Sequence, residues 1–233
     1  MDAKWMPLTE RTALMDALSA EEKGRRSLNP SSMLKVFFDL RVLSYLAIYL
    51  LIQTSVYGLI FYLPTEVSAL IHKPAGLTVG LVSAIPWLFA FVALVWLPRI
   101  ADRFQNHRIC ASVALLIGGC AGFIYPTAGA VLGVTALSAA ISALVAVQPL
   151  FWTFPTRYLT DRAAAGGIAV IALGNLGGFV APNLKVWADH RLRSESAGFY
   201  LLAALTVLNA GLIFLADRPK QTVSVSDKTA ASK

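Results

Sequence analysis

Five stretches of this chain carry no Asp, Glu, Lys or Arg: 42–65, 74–98, 109–156, 163–184 and 196–216. Together they hold 140 of the 233 residues, so all 33 charged side chains are confined to the remainder. A charge-free apolar stretch of 18 or more residues reads as a membrane-spanning helix, because about 20 residues are needed to cross the hydrocarbon. The 109–156 block is too long for one crossing and is broken at Tyr125-Pro126-Thr127, after which a fresh apolar run begins at Ala128. The pattern predicts six spans: Val42–Leu63, Leu77–Leu97, Ile109–Tyr125, Ala128–Phe154, Ala163–Leu184 and Ala197–Ala216. The fold class is therefore an all-α membrane protein. At 57% hydrophobic and 14% charged, against about 25% charged in an ordinary soluble domain, the composition argues against a water-soluble enzyme.

The net charge of +7 follows the topology and does not call for nucleic acid. Alternate segments lie on one side of the membrane, and on one side the basic residues are Lys73, Lys185, Arg191 and Arg193; the other sixteen Lys and Arg fall on the opposite side. The positive-inside rule then predicts a multi-pass protein of the cell (inner or plasma) membrane with both termini cytoplasmic, in contact with the lipid bilayer. Met1 is followed by some forty mixed polar residues, so no secretory signal peptide is expected. Cys110 and Cys120 both fall in the third span, where they read as small packing residues and not as a disulfide or metal pair. No cofactor, metal or catalytic group is expected.

Three segments result: a polar cytoplasmic lead over 1–41, a six-helix bundle over 42–216, and a disordered cytoplasmic tail over 217–233. In the lead, Thr9 is placed to cap a short helix with Leu14 and Leu18 on one face.

The spans differ in polarity. Tyr45, Tyr49, Gln53 and Tyr57 follow one another at four-residue steps in the first, and Gln148, Trp152 and Thr156 do so in the fourth, beside Pro149 and Pro155. The fifth carries Asn175 within Gly174-Asn175-Leu176-Gly177-Gly178, and the third has only Ser112 besides its cysteines. Polar groups avoid lipid, so spans one, four and five are predicted to line an interior and span three to lie outside; bonding between neighbouring helices is the alternative at any single position, and the stripes taken together favour the cavity. Glycine pairs at Gly76/Gly80, Gly118/Gly122, Gly129/Gly133 and Gly174/Gly178 suit close helix approach. Pro86 and Pro149 are positioned to kink their helices.

After the second span, Pro98-Arg99-Ile100-Ala101-Asp102-Arg103-Phe104-Gln105-Asn106-His107-Arg108 resembles the cytoplasmic loop motif of the major facilitator superfamily. Asp102, Arg103 and Arg108 fit that motif, whereas Pro98 and Gln105 stand where it usually has glycine. Phe151-Trp152-Thr153-Phe154-Pro155-Thr156-Arg157-Tyr158-Leu159-Thr160, with Arg162–Ala169 and Gly174–Pro182, resembles helices ten and eleven of the anion:cation symporter family, facilitators for organic anions such as phthalate, tartrate and sugar acids. Asp39-x-Arg41, Tyr57-Gly58 and Leu63-Pro64 resemble helix seven of that family, and Trp5–Arg11 its central loop. The resemblance implies twelve spans in two halves, each half a 3+3 inverted repeat, with this chain matching the central loop and the second half and so beginning mid-protein. It also implies that Val170-Ile171-Ala172-Leu173 is one residue shorter than the family's stretch and lacks its Asn-Ser pair. One missing residue rotates the two parts of a helix by about 100°.

The resulting expectation is the second half of a proton- or cation-coupled secondary transporter of small organic anions, working by rocking of two bundles around a midplane site. Gln53, Tyr57, Gln148, Trp152 and Asn175 would contact substrate. Asp102, Arg103 and Arg108 would serve a cytoplasmic gate, or else only fix topology as a solvated basic loop. A first-half chain is the expected partner, and the resemblance implies that it holds the coupling carboxylate and the substrate-binding arginine, since no predicted span contains a titratable acid. An inactive or regulatory fragment is the alternative. An intramembrane enzyme ranks low because His72, His107 and His190 all fall in loops, and a channel because no loop is long enough for a re-entrant filter.

The charge asymmetry makes a direct prediction. In intact cells, impermeant labels should reach reporter sites at Lys73 and Arg193 from outside and those at Arg103 and Lys220 only after permeabilisation. Labelling of Lys73 from the cytoplasm would overturn the topology.

Overall fold

A computed structural model of the chain describes residues 38–159 and 162–216. The expected cap at Thr9 with Leu14 and Leu18, the central-loop match at Trp5–Arg11, Thr160 and the tail 217–233 lie outside the described residues. The helices are α1 (Leu40–Ile71), α2 (Leu77–Phe104), α3 (His107–Ile124), α4 (Ala130–Tyr158), α5 (Arg162–Ala172), α6 (Gly177–Leu192) and α7 (Ala197–Ala216). A 3₁₀ turn at Tyr125–Thr127 follows α3, and another at Leu173–Leu176 joins α5 to α6 within the fifth span. Six segments are long and apolar enough to cross a membrane, and the described residues contain no strand.

Helices α1 and α4 form the centre. The fifth span and α7 pack on α1; α2 and α3 pack on α4; and α3 meets α7 along its length. The second three spans thus repeat the neighbour pattern of the first three, as a 3+3 repeat requires. Ile52, Leu115, Leu137, Ile141, Leu144 and Phe151 fill the core. Span three is half-buried against α4 and α7, and its exposed side chains, among them Val113, Leu116, Ile117 and Phe123, are apolar.

Side-chain partners move the helix ends past the charge-free blocks. Asp39 caps α1 by accepting the Arg41 N–H at 2.8 Å. At the other end α1 runs through Pro64 to Ile71 and closes on left-handed His72, where N–H groups of His72 and Lys73 bond to the carbonyls of Ala69 and Ser68. The added turns bury Val67 and bring Glu66 to accept from the Tyr125 hydroxyl at 3.2 Å. The fifth span likewise runs to Leu192, carrying Lys185 and Asp189, which pair at 2.7 Å. The expectation that the spans hold no acid is corrected by these longer helices. Pro86 and Pro149 lie inside α2 and α4 without ending them.

The 3₁₀ turn begins at Leu173, the last residue of the stretch that the family resemblance reads as one residue short. Each 3₁₀ residue turns about 120° and rises about 2.0 Å, against about 100° and 1.5 Å in an α-helix. Four such residues gain roughly 80° and 2 Å over the same number of α-helical residues.

Glycine is required where the fifth span meets α1. A Cβ on Gly174 would stand 2.9 Å from the Leu50 amide nitrogen, and one on Gly177 would stand 2.6 Å from the Thr54 nitrogen and 2.7 Å from the Leu50 carbonyl oxygen. Gly118 and Gly122 also meet neighbours, on α4 and α7. Gly80 and Gly129 face open space, so two of the four expected pairs do not serve helix packing as pairs.

Gly177→Ala should cost about 1–3 kcal/mol, the range for overpacking a tight contact, read as earlier unfolding in a detergent titration. Gly80→Ala should be neutral or slightly stabilising in the same assay.

Candidate functional site

The stripe on α1 and the Gly-Asn-Leu-Gly-Gly segment are brought together by the glycine contact just described. Because the backbones of α1 and the fifth span nearly touch at Gly174 and Gly177, Asn175 between them reaches the α1 side chains. Gln53 Nε2 donates to Asn175 Oδ1 at 2.7 Å, and the Tyr49 hydroxyl lies 3.5 Å from the same oxygen. Asn175 Nδ2 donates to the Ala172 carbonyl at 2.9 Å, holding the amide in place across the 3₁₀ turn. Gln53 is buried, with its Oε1 left without a hydrogen-bond partner, while Asn175 is exposed.

Helix α4 supplies the aromatic wall. The Tyr49 ring stacks on Phe151 at 5.1 Å and 12° and meets Trp152 edge-on at 5.1 Å. Tyr57, one turn beyond Gln53, is half-buried and lies over Gly178 and against Phe61. Gln53, Tyr49, Trp152 and Asn175 are therefore one cluster drawn from three spans, with Tyr57 at its edge. Gln148 is half-buried one turn before Trp152, and no hydrogen bond joins it to Gln53 or Asn175. Phe151 was not legible as part of this wall, since nothing in its apolar surroundings sets it apart.

The loop residues do not form a common centre. Asp102 is exposed and bonds to His107 Nε2 at 2.8 Å. Arg103 is exposed on the last turn of α2. Arg108 lays its guanidinium 4.4 Å over the Phe214 ring on α7. His107, expected as a loop residue, opens α3, is buried, and is the partner that spacing alone did not identify.

A second tie joins the same end of the bundle. The Tyr158 hydroxyl donates to Asp39 Oδ2 at 2.8 Å, and Arg41 stands 5.0 Å over the Tyr158 ring. Burial works to raise the Asp39 carboxyl, but the bonds from Tyr158 and from the Arg41 and Val42 amides, with the Arg41 charge, outweigh it and hold the group below its ordinary value. This clasp is complete above the usual carboxylate range and is lost as pH falls through the lowered value. Among the described residues, no three His, Cys, Asp or Glu stand together to hold a metal.

The profile of the Major Facilitator Superfamily matches residues 5–182. An inner membrane transport protein, RhmT, of Escherichia coli (strain K12) is 38% identical over 226 residues, covering 97% of this chain and 52% of the relative. A quinolone resistance transporter of Acinetobacter baumannii is 32% identical over 232 residues, covering 95% and 52%. A candidate tartrate transporter of Agrobacterium vitis is 33% identical over 227 residues, covering 93% and 48%. The chain thus spans about half the length of these curated relatives, all named as transporters and none as an enzyme. No solved structure matches it.

The Gln53–Asn175 bond can be weighed by a double-mutant cycle. Gln53→Leu and Asn175→Leu should each destabilise the bundle, and the two together should show a coupling of about 0.6–1.7 kcal/mol, the range for interhelical bonds in membranes. Additive effects would mean that the bond is not formed in the bilayer.

Proposed function

This chain belongs to the major facilitator superfamily, and on that premise we propose that it forms the second six-helix half of a secondary transporter for small organic anions. The observation that carries the reading is the Gln53, Tyr49, Trp152 and Asn175 cluster, in which amide groups and an aromatic wall converge from three spans. Tyr57 and Gln148 extend the same substrate surface. The exposed Asn175 amide, held by Gln53, suits the hydroxyl of a hydroxy acid, and the name of the tartrate relative supports that class. No Lys or Arg belongs to the cluster, so the cation that meets the carboxylate comes from a first-half chain, as does the proton- or cation-coupling group.

In this reading the two halves rock about the cluster, opening it to each side in turn. Asp102, Arg103 and Arg108 lie on the cytoplasmic side, where they stabilise one of the two arrangements. The protein sits in the cell membrane with both termini in the cytoplasm, supported by the sixteen-to-four distribution of basic residues.

The test is uptake of labelled hydroxy acids by cells lacking their own carriers. Residues 1–233 alone should give no saturable accumulation, because one bundle cannot alternate by itself. Co-expression with a matching first half should give uptake that an uncoupler dissipates, and Gln53→Ala or Asn175→Ala should raise its KM about tenfold, the effect of losing one well-placed hydrogen bond. Saturable uptake by the chain alone would replace the half-transporter with a pair of identical halves. Absence of uptake in both cases, in a correctly inserted complex, would favour a regulatory fragment.

A further inference from the structure

A large cavity lies apart from the polar cluster. It is walled by α2 and α3 and floored by α4, with a volume of about 670 Å³, and its lining includes Ile100, Phe104, Ile109, Val113 and Ala146. A second cavity of about 430 Å³ shares Ala93, Ala139 and Ser142 with it and continues to Ile85 and Val134. Together they make one groove along α2 from Phe104 to Ile85, roughly 29 Å at 1.5 Å per residue. The hydrocarbon core is about 30 Å thick. On α4 the groove uses Thr135, Ala139, Ser142 and Ala146, spaced four, three and four residues apart, which is a different face from that of Gln148 and Trp152.

The groove is open to the side and mostly apolar, and it runs through the part of the protein that lies in the bilayer. Water would find too few polar partners there, and an empty groove would forfeit dispersion contacts along its whole length. The charge at its wide end distinguishes one kind of lipid from another. Arg99 and Arg103 are exposed on the last turns of α2, flanking the lining residues Ile100 and Phe104. The only acid between Pro98 and Arg108 is Asp102, and it is engaged by His107.

We propose that the wide part of this groove binds one acyl chain of an anionic phospholipid, with the phosphate of its headgroup against Arg99 and Arg103. The narrow part then receives a chain from the opposite leaflet, for which no charge selection is expected. Arg108 takes no part, since its guanidinium lies over Phe214 on the other side of α3.

The full chain in lipid nanodiscs is labelled with phosphatidylglycerol or phosphatidylcholine carrying the same photoreactive acyl chain, and adducts are mapped by peptide mass spectrometry. Adducts within 93–117 should favour phosphatidylglycerol, each arginine contributing about fivefold at low salt. Arg99→Gln with Arg103→Gln should bring phosphatidylglycerol down to the phosphatidylcholine level, and Ala139→Leu, which fills the floor, should reduce both. If the filled variant does not fold, the double Gln variant, altered only at exposed positions, decides. Millimolar inorganic phosphate should not compete, since it brings no chain; competition would assign the arginines to a free anion and overturn the lipid site. Equal labelling by both lipids, or adducts everywhere except the groove in well-folded protein, would also overturn it. So would a co-expressed first half that crosslinks to Cys110 in the groove lining and excludes the lipid.

Discussion

Hydrocarbon offers a buried polar group nothing to bond to, so a chain that crosses it six times must find partners for its polar side chains among its own helices. Most hydroxyls here turn back on the preceding turn: Thr54 donates to Leu50, Thr135 to Val131, Ser138 to Val134 and Thr156 to Trp152, all at 2.7–2.8 Å. A few reach across. Thr206 on α7 stands 2.8 Å from the Ser55 hydroxyl on α1, and Asn209 Nδ2 donates to the Ile48 carbonyl at 3.2 Å, so α7 is fastened to α1 by polar as well as apolar contacts. Within this economy the Gln53–Asn175 pair differs from the others. Its members are joined side chain to side chain through two amides, where Gly174 and Gly177 leave no room for a Cβ between the fifth span and α1.

The charged groups obey the same constraint at greater energetic stake. Lys185 is buried, yet its ammonium has a carboxylate at 2.7 Å and the Tyr62 and Phe199 rings at 4.6 and 4.5 Å. Asp189 uses its other oxygen to accept the Gly198 N–H at 2.7 Å, and Gly198 has no room for a side chain beside Lys185. One ion pair thereby joins the end of α6 to the start of α7. It lies away from the polar cluster, and its role here is to hold helices together.

The number of spans and their centres were legible because charge is excluded from hydrocarbon whatever the tertiary structure. Their ends were not, because an end depends on partners distant in sequence: α1 continues past Pro64 where Glu66 meets Tyr125, and the fifth span continues past Leu184 where Lys185 meets Asp189. Four-residue spacing correctly singled out Tyr49, Gln53 and Trp152 as members of shared faces, since helical periodicity sets which side chains align. It did not reveal that Asn175 would bond to Gln53, which follows from how closely Gly174 and Gly177 let α1 approach. Glycine spacing alone overstated packing at Gly80 and Gly129, where nothing among the described residues stands within 4 Å of an added Cβ. In the loop, adjacency suggested that Asp102 acts with arginines, whereas the start of α3 delivers His107 to it.

Lys185 and Asp189 are four residues apart on one helix, and that bears on how the protein is made. A pair at this spacing forms as soon as the helix does, without waiting for any other span to arrive. The fifth span is the least apolar of the six, and an unpaired lysine or aspartate at membrane depth costs several kcal/mol, about 2.5–3.5 on insertion scales. Carrying its own counter-ion, this segment presents the insertion machinery with a nearly neutral helix. Glu66, by contrast, finds Tyr125 only after two further spans have been synthesised.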